Sequence, residues 1–561
     1  MQTFIEKSLS SVFIALVLAA CGGGGSSSGG GQAPPPTINP PPVPPTAQEL
    51  QSTAKFLDLA TFGPTLTEIE SAAEQDIEVW LNQQFVTAAS LHMPIVERYI
   101  QEYGADIDAD PPPGTYRRFA FWEQALQAPD QLRQVTAYAL TQIFVVSDNV
   151  GTLFIDPRAL ASYNDMLLLN AFGNFRDLLR AVTLHPAMGF YLSHVNNGRA
   201  DAVANTFPDE NYAREVMQLF SIGLFELNPN GTQVLDAGGN PIPTYDNADI
   251  REFSKIFTGL SYGPESPGGA SFFGKAQPVL HVPMEMFEAF HEPGVKQLLN
   301  GQTVANGQSG LEDIDAAIDN LFNHPNTGPF IGRQLIQRLV TSNPSAAYIQ
   351  RVSDAFAGVN GNPRGDMQAV LRAILTDAEA LTGQRLREPF RRYLALNRSL
   401  GASTDDGTVP GLGFIAQFLI QQHVLSAPSV FNFYSSAFRP AGPVGDAGLV
   451  SPEFQITNAS TIVGMTNLLA FAIYGAQSIE SPDGFSDITL NFNPLLDVAE
   501  NSDELIDRID LIFFAGAMDT ATRTAIIDAV EPITTDPIDK VRLALYLSLA
   551  SPAYAVVGDM Q

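Results

Sequence analysis

The chain has 561 residues, with 60 acidic and only 30 basic side chains, so its formal net charge at pH 7 is −30. This acidity argues against binding to nucleic acid or to an anionic membrane surface, since both partners require clustered positive charge. A hydrophobic content of 45% is typical of a globular protein with a large core. No segment after the N-terminal region reaches about 18 uncharged apolar residues, so we expect no transmembrane helix.

The N-terminus resembles a bacterial lipoprotein signal peptide. Residues 11–20 are mostly apolar and end in Leu18-Ala19-Ala20, directly before Cys21, which is the only cysteine of the chain. This stretch is too short to span a bilayer and matches a processing segment. We predict that residues 1–20 are removed and that Cys21 carries a lipid. A chain with no other thiol has no disulfides, cysteine-ligated metals or cysteine nucleophiles.

Residues 21–46 are predicted to be a tether. Residues 22–31 are only glycine and serine, and residues 34–45 are mostly proline. Such a composition cannot bury a core, and it gives a flexible segment followed by a semi-rigid spacer. We therefore expect an exported, lipid-anchored protein of the cell envelope. The absence of an acidic residue directly after Cys21 favours the outer membrane.

From residue 47 onward the predicted elements are mainly helices. Thr65-Leu66-Thr67-Glu68 reads as a capping box at a helix start, because the hydroxyl and the carboxylate can accept from exposed amides there. Helical periodicity covers residues 48–61, 65–85, 118–126, 132–146, 166–184 and 208–219, with a break at Gly173-Asn174. We take residues 47–227 as a helical N-terminal half.

A less regular region follows. Residues 232–235 and 242–245 flank a turn-rich stretch and predict a β-hairpin, whereas residues 248–258 predict a helix after Asp246-Asn247. The Gly-rich and aromatic residues 262–304 indicate a loop with short strands, so the insert covers about 228–305. Helical patterns return at 311–322, 329–340, 346–357, 367–375, 497–512, 521–530 and 537–548 within a C-terminal half of about 306–557. The predicted fold is mainly α: a large multi-helix globular domain with a small β-hairpin and loop insertion.

The densest polar segment lies on the helix predicted over 208–219. Glu210, Asn211, Arg214 and Glu215 occupy neighbouring positions on its surface, and Glu210 lies four residues before Arg214, a favourable ion-pair spacing. One interpretation is that these charges cap the helix and form structural ion pairs. The other is that this face lines a pocket, where Glu210 or Glu215 acts as a general base or binds a hard cation together with Asn211.

Histidines upstream offer a second possibility. His185 and His194 lie within about 30 residues of those carboxylates, so His185, His194 and Glu215 are candidates for a Zn²⁺ or Fe²⁺ site, and His185 for a catalytic role. The spacing of the two histidines does not place both rings on one helical turn, and a histidine before proline often caps a helix. We interpret the segments at His291 and His324 as turns. No nucleotide-binding or nucleophile-elbow motif is present, so the sequence specifies no cofactor.

Several segments together resemble the bacterial family called domain of unknown function 1800. The resemblance runs in order over about residues 48–557. It is carried by residues 61–64, 142–147, 171–174, 185–188, 209–215, 257–259, 291–296, 324–326, 387–389, 427–432 and 551–554. It implies a large exported bacterial protein, often encoded beside a companion family that resembles alkaline phosphatases and sulfatases. It implies no reaction and hence no catalytic residue.

The leading hypothesis is therefore an envelope lipoprotein that binds or presents a partner, such as an exported enzyme related to those phosphatases or sulfatases. The alternative is a surface-displayed hydrolase or metal-dependent enzyme that uses Glu210, Asn211, Arg214, Glu215 and His185. A third possibility is carbohydrate binding by exposed aromatic residues within 262–290, since sugar rings stack on exposed aromatic faces.

Overall fold

The computed structural model describes residues 44–558, apart from residues 107, 267, 360, 406, 410, 414 and 476–486. The predicted signal peptide, Cys21 and almost all of the tether lie outside the described residues. From Pro45 onward the chain forms one compact unit. No helix in the described part of the chain combines the length and the hydropathy that a membrane crossing requires.

The predicted mainly-α fold is confirmed. The first eleven helices are α1 (Ala47–Ala60), α2 (Leu66–Ala73), α3 (Ile77–Val86), α4 (Met93–Tyr103), α5 (Tyr116–Gln127), α6 (Gln131–Thr141), α7 (Gly151–Ile155), α8 (Ala159–Asn170), α9 (Phe175–Leu184), α10 (Pro186–Tyr191) and α11 (Asn211–Gln218). The capping box before α2 is present: the Thr65 hydroxyl accepts from the Glu68 amide at 3.2 Å, and the Glu68 carboxylate accepts from the Thr65 amide at 2.8 Å.

The insert contains α12 (Asn247–Ile256) and two small antiparallel sheets, which pair β1 (Leu260–Ser261) with β2 (Glu285–Met286) and β3 (Lys296–Gln297) with β4 (Thr303–Val304). The predicted hairpin over 232–245 consists of isolated bridges such as Leu235 to Pro241. Its turn is held by the Asp236 carboxylate, which accepts from the amides of Gly238 and Asn240.

The remaining helices are α13 (Gly310–Asn323), α14 (Thr327–Leu339), α15 (Ala346–Ala357), α16 (Met367–Leu375), α17 (Pro389–Ser399), α18 (Ala416–Ile420), α19 (Pro443–Asp446), α20 (Ala459–Tyr474), α21 (Asn493–Leu496), α22 (Ser502–Phe514), α23 (Thr520–Val530) and α24 (Pro537–Ala550). A third small sheet pairs β5 (Arg385–Leu386) with β6 (Val556–Val557), so the C-terminus returns to the start of α17. Helices α4, α17 and α20, and the shorter α7, α10, α18, α19 and α21, were not predicted.

One hydrophobic cluster runs through both helical halves and the insert. Its centre is aromatic: the Phe390 ring of α17 lies 5.8 Å from Phe121 of α5 and 6.0 Å from Tyr138 of α6, between ring centroids. Trp122 packs against the same Phe390 ring at 5.5 Å. Aromatic pairs at these distances add to the stabilisation from burial. Helix α17 is therefore held against the N-terminal helices, and this fixes the position of the residues that precede it.

Candidate functional site

The helix that was predicted over 208–219 starts at Asn211, three residues later than expected. The Asn197 side-chain oxygen accepts from the Asp209 amide at 2.9 Å, and the Asp209 carboxylate accepts from the Asn211 amide at 2.8 Å. These two hydrogen bonds satisfy the local amides without helical geometry, so Pro208 is not the first helical residue.

The charged side chains of α11 differ in their exposure to solvent. Glu210 and Arg214 form an ion pair at 3.4 Å, with about 40% of each side chain exposed, and Asn211 is exposed. Such a surface pair contributes little to stability. Glu215 differs because it is buried and its Oε2 has no hydrogen-bond partner. Burial raises the pKa of the Glu215 carboxyl, and the nearby Arg214 guanidinium partly offsets this effect.

A carboxyl with a raised pKa suits general acid–base chemistry where it meets a substrate. Beside Glu215, the Tyr245 hydroxyl donates to the Gln218 side-chain oxygen at 3.3 Å. Burial, and next the Glu215 carboxyl, raise the pKa of Tyr245 to about 12, so the phenol stays protonated. Glu215 lines neither of the two cavities described below. Among the described residues, Glu215 is therefore a buried carboxyl in a polar setting, and His185 lines neither of these two cavities either.

His185 occupies the N-cap position of α10. Its Nδ1 accepts from the Ala187 amide at 3.2 Å, and its Nε2 lies 3.4 Å from the Ser162 hydroxyl. Burial lowers the pKa of His185 to about 3, so the ring is neutral at physiological pH. No hydrogen bond or ion pair joins it to the polar residues of α11 in the described part of the chain. Its geometry is that of a helix cap.

His194 is also buried. Its Nε2 lies 2.8 Å from the Thr183 carbonyl oxygen, and its ring stacks on Tyr212 with centroids 3.9 Å apart. Since a carbonyl only accepts, Nε2 carries the proton and Nδ1 is left without a partner. Within the described ranges, no three His, Cys, Asp or Glu side chains lie close enough together to hold a metal ion. His185, His194 and Glu215 thus do not assemble into a metal site.

The segment at His291, which was predicted to be a turn, contributes to a buried ionic cluster. His291, Lys296 and Asp313 are each 1–2% exposed, and the His291 Nε2 lies 2.9 Å from the Asp313 Oδ2. The Lys296 ammonium contacts the same carboxylate oxygen. The His291 Nδ1 lies 2.9 Å from the Thr258 carbonyl oxygen. This buried ionic cluster ties the insert to α13, and its burial indicates a structural role.

The exposed aromatic residues of the insert include Phe272 and Phe290, which are 57% and 42% exposed. One face of Phe290 is covered, because it stacks on Phe273 with centroids 3.9 Å apart and planes 8° apart. The Phe290 ring therefore has at most one face left for stacking on a sugar ring.

Sequence reasoning missed a cavity of about 200 Å³ between the end of α6, α14 and residues 430–436. We call it the Arg338 cavity. The residues that matter to its chemistry are Gln142, Leu219, Gln334, Arg338, Asn432 and Tyr434. Asn432 reaches the cavity from a backbone in the left-handed region, with φ of 66°, a conformation that asparagine tolerates better than most residues.

Arg338 lies in the last turn of α14 and is only 8% exposed. Its Nη1 donates to the Gln334 carbonyl at 3.1 Å and its Nη2 donates to the Gln142 carbonyl at 2.9 Å, whereas its Nε has no hydrogen-bond partner. It forms no ion pair with any described carboxylate. Burial lowers the pKa of Arg338, but an arginine side chain keeps its charge in a protein. The buried Glu388 carboxylate favours the charge of Arg338 without forming a direct ion pair with it. A buried donor without a partner, such as the Arg338 Nε, is costly, and this points to a ligand.

A hydrogen-bond network holds the wall of the cavity. The Tyr434 hydroxyl and the Asn432 amide donate to the Gln142 Oε1 at 3.0 and 3.3 Å. The Gln142 Nε2 in turn lies 3.2 Å from both oxygens of the Glu388 carboxylate. Glu388 also accepts from Tyr138 at 2.6 Å. Because every one of these groups has a partner, the cavity wall is preorganised.

The charge balance beneath this wall is positive. The Arg385 Nη1 donates to the Arg338 carbonyl at 2.6 Å. Glu453 is 1% exposed, and burial, which Arg385 opposes, raises the pKa of its carboxyl to about 8. At pH 7 Glu453 is therefore mostly protonated, so of the Glu388 and Glu453 carboxyls Glu388 is the one that offsets part of the charge of Arg338. The cavity is a local cationic region in a chain of net charge −30.

The sequence contained a partial signal for this site. Gln142, Glu388 and Asn432 belong to three of the segments that carry the family resemblance, 142–147, 387–389 and 427–432, and the fold brings these segments together. Arg338 lies in none of them. Only the packing of α14 against α6 places its guanidinium at the carbonyl of Gln142.

The comparisons with known proteins agree with the resemblance. Neither curated proteins nor solved structures give a match to the chain. The family described as "Protein of unknown function (DUF1800)" matches residues 55–556. Since this match covers nearly the whole chain, the protein belongs to the DUF1800 family.

Proposed function

We propose that this protein is an accessory binding protein of the bacterial cell envelope, anchored through a lipid on Cys21, and that its Arg338 cavity binds a small oxyanion. The class of ligand is a carboxylate, phosphate or sulfate group. The observation that carries the proposal is the buried Arg338 guanidinium, which lines a cavity, has an unpartnered Nε and forms no direct ion pair with any described carboxylate.

The size and the donors of the cavity suit such a ligand. About 200 Å³ corresponds to six or seven groups of the size of a water molecule, at about 30 Å³ each. Guanidinium pairs with oxyanions through short, charge-assisted hydrogen bonds, and these are strong where water is excluded. The net charge of −30 repels anions at long range, so binding depends on contact inside the cavity.

The proposed exported partner fits the same chemistry. The resemblance implies neighbours related to alkaline phosphatases and sulfatases, whose substrates carry phosphate or sulfate groups. An accessory protein that binds a released or substrate oxyanion would work beside such an enzyme.

A hydrolase that acts through α11 is the second candidate. The observation that favours it is Glu215, because a buried carboxyl with a raised pKa and an unpartnered oxygen is a common feature of catalytic acids and bases. This candidate predicts hydrolysis of phosphate, sulfate or carboxylate esters that Glu215→Gln abolishes without a loss of folding. The hydrolase hypothesis does not predict that Arg338 variants lose oxyanion binding.

The test of oxyanion binding is a thermal unfolding series on the mature chain carrying Cys21→Ala, with acetate, citrate, phosphate and sulfate as probes. A ligand at a hundredfold excess over its dissociation constant stabilises the fold by about 2.7 kcal/mol. We expect at least one probe to raise the unfolding midpoint in this protein and not in Arg338→Gln. Arg251→Gln, at an exposed arginine of α12, is the matched control. Equal shifts in all three proteins would contradict the proposal.

A further inference from the structure

A second cavity, of about 320 Å³, opens between the start of α17, the turn at Pro452–Gln455, α20 and the end of α24. Its walls are mostly apolar. They include Leu386, Phe454, Ile462, Met465, Ala550 and Val556. Ligand pockets in proteins are typically cavities of about 300–1,000 Å³ with apolar walls and a few placed polar groups, and this cavity has that character.

The hydroxyl groups at this cavity have no proton to offer a ligand. All four donate to main-chain carbonyl oxygens of neighbouring turns at 2.7–3.0 Å. They belong to Thr457, Thr461, Thr466 and Ser551. A polar ligand atom would therefore have to find its donor elsewhere in the cavity.

Two arginines line the cavity, and only one has a counter-ion. Arg387 pairs with Asp58 at 2.5 Å. The Arg392 Nη2 donates to the Leu549 carbonyl at 3.0 Å, its Nε is buried without a partner, and it forms no ion pair with any described carboxylate. Burial lowers the pKa of Arg392 to about 10, so it still carries its charge at neutral pH. The Arg392 guanidinium also lies over the Tyr554 ring, 5.5 Å from its centroid. The cavity thus combines apolar walls with one cation that has no described carboxylate partner.

We infer that this cavity binds a single-chain amphipathic anion, whose anionic head group pairs with Arg392 and whose alkyl chain packs against the apolar walls. A volume of about 320 Å³ corresponds to about ten groups of the size of a water molecule or a methylene. This size suits one medium-length chain and is too small for a two-chain lipid. The site is separate from the Arg338 cavity, and the inference does not depend on the proposed oxyanion function.

The surface around the mouth is consistent with an apolar ligand. Ile462 and Phe454 line the cavity and are 55% and 40% exposed. Helix α20 contains no charged residue, and its outer face continues with exposed Val463, Phe471 and Tyr474. Contiguous exposed apolar patches on a protein surface often mark binding sites. A chain longer than the cavity would lie along this face instead of meeting the acidic surface.

The experiment is a calorimetric titration of the mature chain carrying Cys21→Ala with decanoate, below the concentration at which it forms micelles. Three control ligands separate the contributions of the head group and the alkyl chain. Decanol has the alkyl chain without the charge, acetate has the carboxylate without the long chain, and decyltrimethylammonium has the chain with the opposite charge. We expect decanoate to bind at least tenfold more tightly than each control. Equal binding of decanol, or of the cationic amphiphile, would overturn the inference.

Variants locate the site. Arg392→Gln should weaken decanoate binding at least tenfold and leave decanol binding unchanged, whereas Arg251→Gln should leave decanoate binding within threefold. If Arg392→Gln does not fold, Ile462→Glu gives the same test, because this exposed side chain at the mouth tolerates a charge that repels the ligand. Its control is Val86→Glu, at an exposed apolar position of α3 that does not line the cavity. Undiminished decanoate binding in a folded Arg392→Gln or Ile462→Glu variant would refute the assignment.

Discussion

The buried carboxyl of Glu453 predicts that the protein loses stability as the pH rises. Burial raises its pKa from an ordinary value of 4.5 to about 8. Between these two values the unfolded chain releases the proton and the folded chain keeps it, so unfolding becomes easier as the pH increases. The contribution is fully present below about pH 4.5 and is lost as the pH approaches 8. At about 1.4 kcal/mol per pH unit, the gap between the two pKa values is on the order of 5 kcal/mol.

Glu453→Gln removes this dependence because an amide does not ionise. We expect the variant and the parent protein to differ little at pH 5. By pH 8 the variant should be more stable by on the order of 4 kcal/mol, from three pH units at the same rate. The assay is urea unfolding at pH 5, 6, 7 and 8, with Glu70→Gln at an exposed carboxyl as the control. If the free energy of unfolding of the parent and of Glu453→Gln changed with pH in parallel, the buried Glu453 carboxyl would not have the raised pKa that this prediction requires.

Three further predictions concern the insert and the anchor. Asp313→Asn removes the carboxylate beside a fully buried lysine, so we expect a loss of about 3–5 kcal/mol in urea unfolding, and a loss below about 1 kcal/mol would contradict the structural role of this cluster. Gly310→Ala would place a methyl group 2.5 Å from the Met286 sulfur and 3.0 Å from the His291 ring and should cost about 1–3 kcal/mol, whereas Gly151→Ala, with no atom within 4 Å, should be close to neutral. Cys21→Ala should release the protein from the membrane fraction, and unchanged sedimentation with membranes would exclude the lipid anchor.

Local signals in the sequence predicted local structure well. The capping box at Thr65 and the helix start after Asp246 depend on residues within one turn of each other, so the sequence contains the whole interaction. The break at Gly173-Asn174 is local only in part: Asn174 caps α9, but residues 364–367 also form hydrogen bonds with this segment. Helix α20 was missed because its residues are apolar on nearly every side. Hydrophobic periodicity cannot identify a helix that has no polar face. The start of α11 was misplaced because Asn197, which lies outside the helix, holds Asp209.

The candidate sites could be predicted only in part, because they combine residues that lie far apart in the sequence. The polar face of α11 could be seen from spacing, but whether Glu215 is buried depends on its neighbours in the fold. The Arg338 cavity combines Gln142, Arg338 and Asn432, which are separated by about a hundred residues or more in sequence. No spacing rule connects such positions. The family resemblance identified two of these segments, and only the folded chain placed the unpaired guanidinium between them.

Oxyanion binding at Arg338 is tested most directly by isothermal titration of the parent protein and Arg338→Gln with the oxyanion that gives the largest thermal shift. A lost charge-assisted hydrogen bond is worth about 1.5–3 kcal/mol, so we expect saturable one-site binding that weakens at least tenfold in a folded Arg338→Gln variant. Binding of equal affinity in both proteins, or no binding of any oxyanion to the parent, would contradict this prediction.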